Sequence, residues 1–166
     1  MGNQHSKKHK KHKDKDDRSN SNSQLSSALN PPKFHAFKDQ YETIEQVQDA
    51  LQQAGLESSN LIIAIDYTIS NESSGKKTFG GKSLHSLTDG ENPYQSCIRI
   101  LGRTLEIFDD DKLIPVFGFG DSTTQEKSVF PFYPDKPCHT FNEVLSRYNE
   151  ITPHIKMAGP TSFAPI

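Results

Sequence analysis

The sequence has no tryptophan and only two cysteines, Cys97 and Cys138, in 166 residues. Two thiols cannot build a disulfide framework or a four-thiolate zinc site. Apolar residues make up only 32% of the chain, and mean hydropathy is −0.73. No apolar run approaches the roughly 18 residues that a membrane-spanning helix needs. Residues 2–24 hold no apolar h-region of the kind a secretion signal carries. These absences lead us to expect an intracellular chain with reduced thiols. Catalytic signatures are missing as well. There is no G-x-S-x-G elbow and no P-loop, and Gly118-x-Gly120 lacks the third glycine of a dinucleotide fingerprint.

The shortage of apolar residues is local. Residues 1–30 hold seven Lys/Arg, three Asp/Glu and three His, leaving twelve basic and eighteen acidic side chains for residues 31–166. A basic arm of net charge +4 is thus joined to an acidic body of −6. We expect residues 1–30 to be a disordered arm and residues 31–166 to be the folded domain. Met1-Gly2-Asn3-Gln4-His5-Ser6 fits the signal for myristoylation of Gly2. One acyl chain binds membranes only marginally. Lys7, Lys8, Lys10, Lys11, Lys13 and Lys15 supply a second attraction to an anionic leaflet, partly offset by Asp14, Asp16 and Asp17. The expected location is the cytoplasmic face of the plasma membrane and the cytoplasm, with the nucleus as a second site because lysine runs also serve as nuclear signals. No aromatic residue interleaves the lysines to stack on bases, so no nucleic-acid partner is expected. His5, His9 and His12 add charge as pH falls or bind a metal weakly, and the Ser/Asn-rich residues 19–27 read as a flexible linker.

From Phe34 onward the pattern is that of a folded domain. Ile44, Val47, Leu51 and Ala54 form a helical stripe, with Thr43 and Gln46 as a capping box and Gly55 as the stop. Leu61-Ile62-Ile63-Ala64-Ile65 reads as a strand buried on both faces. A helix opens at Pro93 behind Asn92 and turns Cys97, Ile98, Leu101, Leu105 and Phe108 inward. Asp109-Asp110-Asp111 closes it, and residues 113–119 form a second buried strand. A short strand near residues 129–133 follows. Thr140 and Glu143 then open a helix whose inner face is Val144, Leu145, Tyr148 and Ile151. Helices alternating with apolar strands predict an α/β domain with a mainly parallel sheet, whose ligand site lies beyond the carboxyl ends of the strands.

The first strand delivers Asp66-Tyr67-Thr68-Ile69-Ser70 at that end. A carboxylate and two hydroxyls at alternate positions are hard oxygen ligands suited to Mg²⁺, Mn²⁺ or Ca²⁺. The same residues can also simply cap a turn and a helix start, the commoner role of such a pattern taken alone. Residues 75–81, with Lys76, Lys77 and Lys82, read as a mobile surface loop or a phosphate binder. Cys138 and His139, adjacent on an extended segment, point to opposite faces and so are not expected to form a nucleophile–base pair. His35, His85 and His154 read as surface or hydrogen-bonded core residues.

Asp66-x-Thr68-x-Ser70 resembles the D-x-[ST]-x-S signature of the von Willebrand factor type A fold. Gly159-Pro160-Thr161-Ser162-Phe163-Ala164-Pro165 resembles the loop that supplies the isolated threonine of that fold's metal-ion-dependent adhesion site. Gly55-Leu56-Glu57-Ser58-Ser59-Asn60-Leu61-Ile62, Ser70-Asn71-Glu72, Phe117-Gly118-Phe119-Gly120-Asp121 and residues 159–166 are similar to the copine-type A domain, in particular that of the plant RING-domain ubiquitin ligases of the RGLG kind. The resemblance implies a Rossmann-like, mainly parallel sheet flanked by helices and incomplete at its C-terminus, since the family's third metal loop and RING would lie further on. It implies Asp66, Thr68, Ser70 and Thr161 as metal ligands, with Asp121 either close behind the metal or simply a turn residue. The implied function is a membrane-tethered, divalent-metal-dependent protein-binding module of an RGLG-like E3 ubiquitin ligase, whose partner offers an acidic residue to the metal. A ubiquitin-conjugating enzyme would be a partner only through a RING. No catalytic residue is expected within these positions. The alternative is a copine-like calcium or membrane signalling adaptor without ligase activity.

Overall fold

The computed structural model describes residues 40–166; the basic arm, Gly2 and His35 lie outside the described residues. Helix α1 spans Ile44–Gln53. Its first turn is held by Thr43 Oγ1, which accepts from Gln46 N at 3.3 Å, while Gln46 Oε1 accepts from Glu42 N at 2.7 Å. Gly55, at φ +96°, reverses the chain so that Gly55 N and Leu56 N donate to Gln52 O and Leu51 O, the paired bonds of a Schellman stop. Ile44, Val47 and Leu51 are half-buried, whereas Ala54 caps the helix and is exposed.

Strand β1, Ile63–Asp66, runs parallel to β2, Val116–Phe119, with Ile63 opposite Val116 and Asp66 opposite Phe119. Strand β3, Val129–Pro131, pairs antiparallel with β2, giving the order β1-β2-β3. The sheet is therefore mixed where the sequence predicts a mainly parallel one. The reason is the connection of residues 120–128, which is shorter than the dozen or more residues that a parallel crossover requires. The expectation that β1 is buried on both faces also needs correction. Only Ile65 of its four residues is buried, while Ala64, on the other side of the pleat, is half-buried, and Ile62 just before the strand is 68% exposed.

Helix α2, Ser70–Thr78, and helix α3, Pro93–Leu105, fill the crossover from β1 to β2. Asn92 and Gln95 form a full capping box at the start of α3. A short 3₁₀ turn, Glu106–Phe108, follows and buries Phe108. Helix α4, Phe141–Ile151, starts with Thr140 Oγ1 accepting from Glu143 N at 3.1 Å and continues into a 3₁₀ turn, Thr152–His154. Helices α3 and α4 pack on each other, and α1 packs on α3. Ile65, Tyr67, Ile98, Ile114, Val116, Phe132, Val144 and Tyr148 lie at the centre of the core.

The inner stripe of α3 differs from the predicted one. Ile98 and Gly102 are buried, whereas Cys97 and Leu101 are exposed. Gly102 explains the shift: a β-carbon there would stand 2.7 Å from Phe141 Cβ, so the Phe141 ring occupies the place of a large residue on α3. Nor are residues 75–81 a surface loop throughout. Gly75 lies inside α2 and is buried because the backbone of residues 82–84 crosses it, against the space a β-carbon would take. Alanine is normally favoured over glycine in a helix by up to about 1 kcal/mol. At this position the clash with Lys82 O reverses the sign, and Gly75→Ala should destabilise the chain by roughly 1–3 kcal/mol in a denaturant titration. A neutral or stabilising result would mean that the crossing is looser than described.

Candidate functional site

Because β1 and β2 are parallel, both strands end at the same edge of the sheet. The ladder closes with Tyr67 N donating to Phe119 O at 2.8 Å. A third segment then joins that edge: Ala158 bridges Thr68, its N donates to Gly120 O at 3.1 Å, and its carbonyl accepts from Ile69 N. Met157 bridges Asp121 from the same segment. This stitching brings Thr161, remote in sequence, beside Thr68.

Three hydroxyls meet there. Thr161 Oγ1 donates to Thr68 Oγ1 at 2.9 Å, and Thr68 Oγ1 lies 2.7 Å from Ser70 Oγ. Thr68 is 1% exposed, while Ser70 and Thr161 are open to solvent. Asp66 Oδ1 accepts from Thr68 N at 2.7 Å, and its second carboxylate oxygen accepts no hydrogen bond among the described residues. In an octahedral Mg²⁺ shell with ligands at roughly 2.1 Å, neighbouring oxygens stand about 3 Å apart. The two hydroxyl separations match that spacing, and a carboxylate with three hydroxyls is the donor chemistry that hard divalent cations take. Among the described residues no three His, Cys, Asp or Glu side chains group as a metal cluster. The hydroxyls are what distinguish this candidate.

Asp121 is 4% exposed, and its carboxylate turns into its own loop. Oδ2 accepts from Thr123 N at 3.0 Å and Thr123 Oγ1 at 2.6 Å, and Oδ1 accepts from Thr124 N at 3.1 Å and from the Thr124 hydroxyl. Burial alone would raise its pKa, but these four hydrogen bonds outweigh that and hold it below the ordinary carboxylate range. These are the hydrogen bonds of a turn residue, and Asp121 makes no side-chain hydrogen bond to Asp66, Thr68, Ser70 or Thr161 among the described residues.

His85 belongs to the hydrogen-bonded core: Nε2 lies 2.8 Å from Asp66 O and Nδ1 2.8 Å from the Tyr148 hydroxyl. Its ring is stacked between Tyr67 and Tyr94, at centroid distances of 4.7 and 4.0 Å. Asn71 and Tyr94 also reach the Asp66 carbonyl. No local signal joins these two residues, since their meeting depends on how α2 and α3 cross the end of β1. The cysteine–histidine neighbours behave as the alternation of an extended segment requires. Cys138 is buried, its thiol pushed up to about 11 by burial, while His139 is exposed. His154 is exposed. Lys76 and Lys77 sit in the last turn of α2, where cations complement the helix dipole, and Lys82 pairs with Asp89 at 2.5 Å.

Residues 83–166 match the copine family. The chain belongs to the copine family. Over 135 residues it is 55% identical to the E3 ubiquitin-protein ligases RGLG1 and RGLG2 of Arabidopsis thaliana, a match that covers 81% of this chain and 28% and 29% of theirs. It is 45% identical over 131 residues to Copine family protein 2 of Caenorhabditis elegans, covering 76% of this chain and 2% of that protein. This copine chain thus spans less than a third of the RGLG relatives it matches.

Burial lowers the pKa of His85 to about 4, against about 6.5 in an unfolded chain. Between those values the unfolded chain takes up a proton that the folded chain refuses. Stability from this residue is therefore complete above pH 6.5 and declines as pH falls toward 4. Denaturant unfolding across that window should show a loss of about 3 kcal/mol, removed by His85→Phe. A pH slope identical in the variant would contradict this assignment.

Proposed function

We propose that this chain is the partner-binding module of an RGLG-like E3 ubiquitin ligase, built on the von Willebrand factor A-type plan. It takes a protein partner through a divalent cation, Mg²⁺, Mn²⁺ or Ca²⁺, held by Asp66, Thr68, Ser70 and Thr161. The observation that carries this reading is the convergence of three hydroxyls beside Asp66 at the carboxyl edge of a parallel strand pair. The 55% identity to RGLG1 supplies the ligase context.

The charge balance supports it. The four residues provide one negative charge, so they do not neutralise a divalent cation, and hydroxyls add none. A cation bound there supplies a hard Lewis-acid contact for an acidic side chain of the partner. Asp66 and Thr68 anchor the site from the end of β1, and exposed Ser70 and Thr161 leave it open to an approaching surface. In this reading Asp66 and the three hydroxyls hold the cation, and none is assigned a catalytic step. Ubiquitin transfer would fall to a RING that presents a ubiquitin-conjugating enzyme elsewhere in such a ligase. The second reading is a copine-like adaptor without ligase activity, for which the 45% identity to Copine family protein 2 supplies only the copine context.

We also assign the basic arm to membrane attachment at the cytoplasmic face of the plasma membrane. Myristate on Gly2 supplies the apolar part, and Lys7, Lys8, Lys10, Lys11, Lys13 and Lys15 the attraction to anionic lipid.

Calorimetric titration of the chain with Mn²⁺ should show a single site, and Asp66→Ala should remove it. Equal binding by both proteins would reject the metal reading. On cell fractionation, Gly2→Ala should move the protein from the membrane pellet to the supernatant. A variant that stays in the pellet would rule out the acyl anchor.

A further inference from the structure

The main-chain carbonyl of Asp66 is held more firmly than hydrogen-bond satisfaction requires. In the parallel ladder, Ile63 N donates to Pro115 O and Tyr67 N to Phe119 O, so residues 63, 65 and 67 face β2. Asp66 therefore directs its peptide groups to the opposite edge, where no strand pairs with β1 among the described residues. A single water would satisfy that carbonyl. Instead three side chains converge on its oxygen: His85 Nε2 at 2.8 Å, Asn71 Nδ2 at 2.9 Å and the Tyr94 hydroxyl at 3.1 Å. They come from three places, α2, the loop between α2 and α3, and α3 itself.

Each of the three is fixed in turn. Asn71 Nδ2 also donates to Thr68 O at 3.0 Å, which staples the two ends of the Asp66–Thr68 turn, and its Oδ1, 2.9 Å from the Tyr94 hydroxyl, shares that one hydroxyl hydrogen with Asp66 O. A carbonyl can only accept, so His85 Nε2 carries the hydrogen and Nδ1 accepts from the Tyr148 hydroxyl. That hydroxyl receives Asn92 Nδ2 at 3.2 Å, which ties the cap of α3 and the body of α4 into the same chain. Asn71, His85 and Asn92 are 5%, 4% and 0% exposed. No buried polar side-chain atom of these residues lacks a hydrogen-bond partner, and a satisfied buried network restricts its members to few arrangements.

We propose that Asn71, His85 and Tyr94 are positioning residues that lock the Asp66 peptide and thereby set the carboxylate and the Thr68 hydroxyl for the cation; this rests on the metal reading above. Groups that orient metal ligands without touching the metal commonly change affinity by 10–100-fold when removed. The backbone turn at Asp66 carries the carboxylate and, two residues on, the central hydroxyl. Freedom to rotate that peptide would spread both over several positions.

The test is Mn²⁺ titration of the full chain, with electron paramagnetic resonance of the bound ion as a second readout. Tyr94→Phe removes one hydroxyl, and His85→Phe keeps an aromatic ring between Tyr67 and Tyr94 while removing both hydrogen bonds. Each should weaken Mn²⁺ binding about tenfold and broaden the Mn²⁺ spectrum. Ile114→Val, a core change before the start of β2, at the end of the strand opposite the Asp66 edge, should lower stability and leave affinity and spectrum unchanged. If His85→Phe does not fold, Tyr94→Phe decides. Wild-type affinity and spectrum in Tyr94→Phe, with binding abolished in Asp66→Ala, would overturn the positioning role and leave the metal reading intact. Wild-type binding in Asp66→Ala would overturn both.

Discussion

The parallel pairing of β1 with β2 is the constraint from which the rest follows. It obliges the chain to cross from one end of the sheet to the other, and α2 and α3 make that crossing. It also brings Asp66 and Asp121 to one edge, where the segment containing Met157 and Ala158 bridges to Asp121 and Thr68. Thr161 reaches Thr68 only because that segment is stitched between the two strand ends. A site assembled from positions 66 to 161 therefore stands or falls with a four-residue strand pair.

Around the site, polar groups are buried and matched. Tyr67 shares a hydrogen bond with Thr152 at 2.9 Å, Tyr148 joins His85 and Asn92, and Asp121 is filled by two threonines. Among the described residues the one buried side-chain oxygen without a partner is Asp109 Oδ1, just after the 3₁₀ turn that ends the α3 segment. Burial raises the pKa of Asp109, as expected for a carboxyl short of hydrogen-bond donors. The sheet's carboxyl edge thus gathers the buried side-chain hydrogen bonds, while the opposite end is tied by backbone bonds such as Ile63 N to Pro115 O and Cys138 N to Ile114 O.

What could be read from sequence was local. Thr43, Asn92 and Thr140 announce their helices because a cap and the amides it satisfies lie within three residues. Asp66, Thr68 and Ser70 are legible for the same reason. Thr161 was reachable only through the family resemblance, since no spacing rule ties it to residue 68. The stripe that opens with α3 holds at Ile98, Leu105 and Phe108 and fails at Cys97 and Leu101, because Gly102, a residue with no apolar signal, marks the contact by admitting Phe141. The antiparallel β3 follows from loop length, a signal present in the sequence but weaker than the alternation of helices and strands. Asn71 lies in a string that carries the family resemblance, but nothing in the sequence joins it to His85 and Tyr94, because convergence on one carbonyl oxygen is a property of the crossing elements.

The central claim is that the hydroxyl group formed by residues 68, 70 and 161 holds a divalent cation beside Asp66. A crystal of the chain grown with Mn²⁺ and measured at the manganese edge tests it most directly. The account predicts one anomalous peak in contact with Thr68 Oγ1, Ser70 Oγ and Thr161 Oγ1, with Asp66 bound directly or through water. A map with no peak there, or with the hydroxyls still bonded only to one another at saturating Mn²⁺, would contradict it.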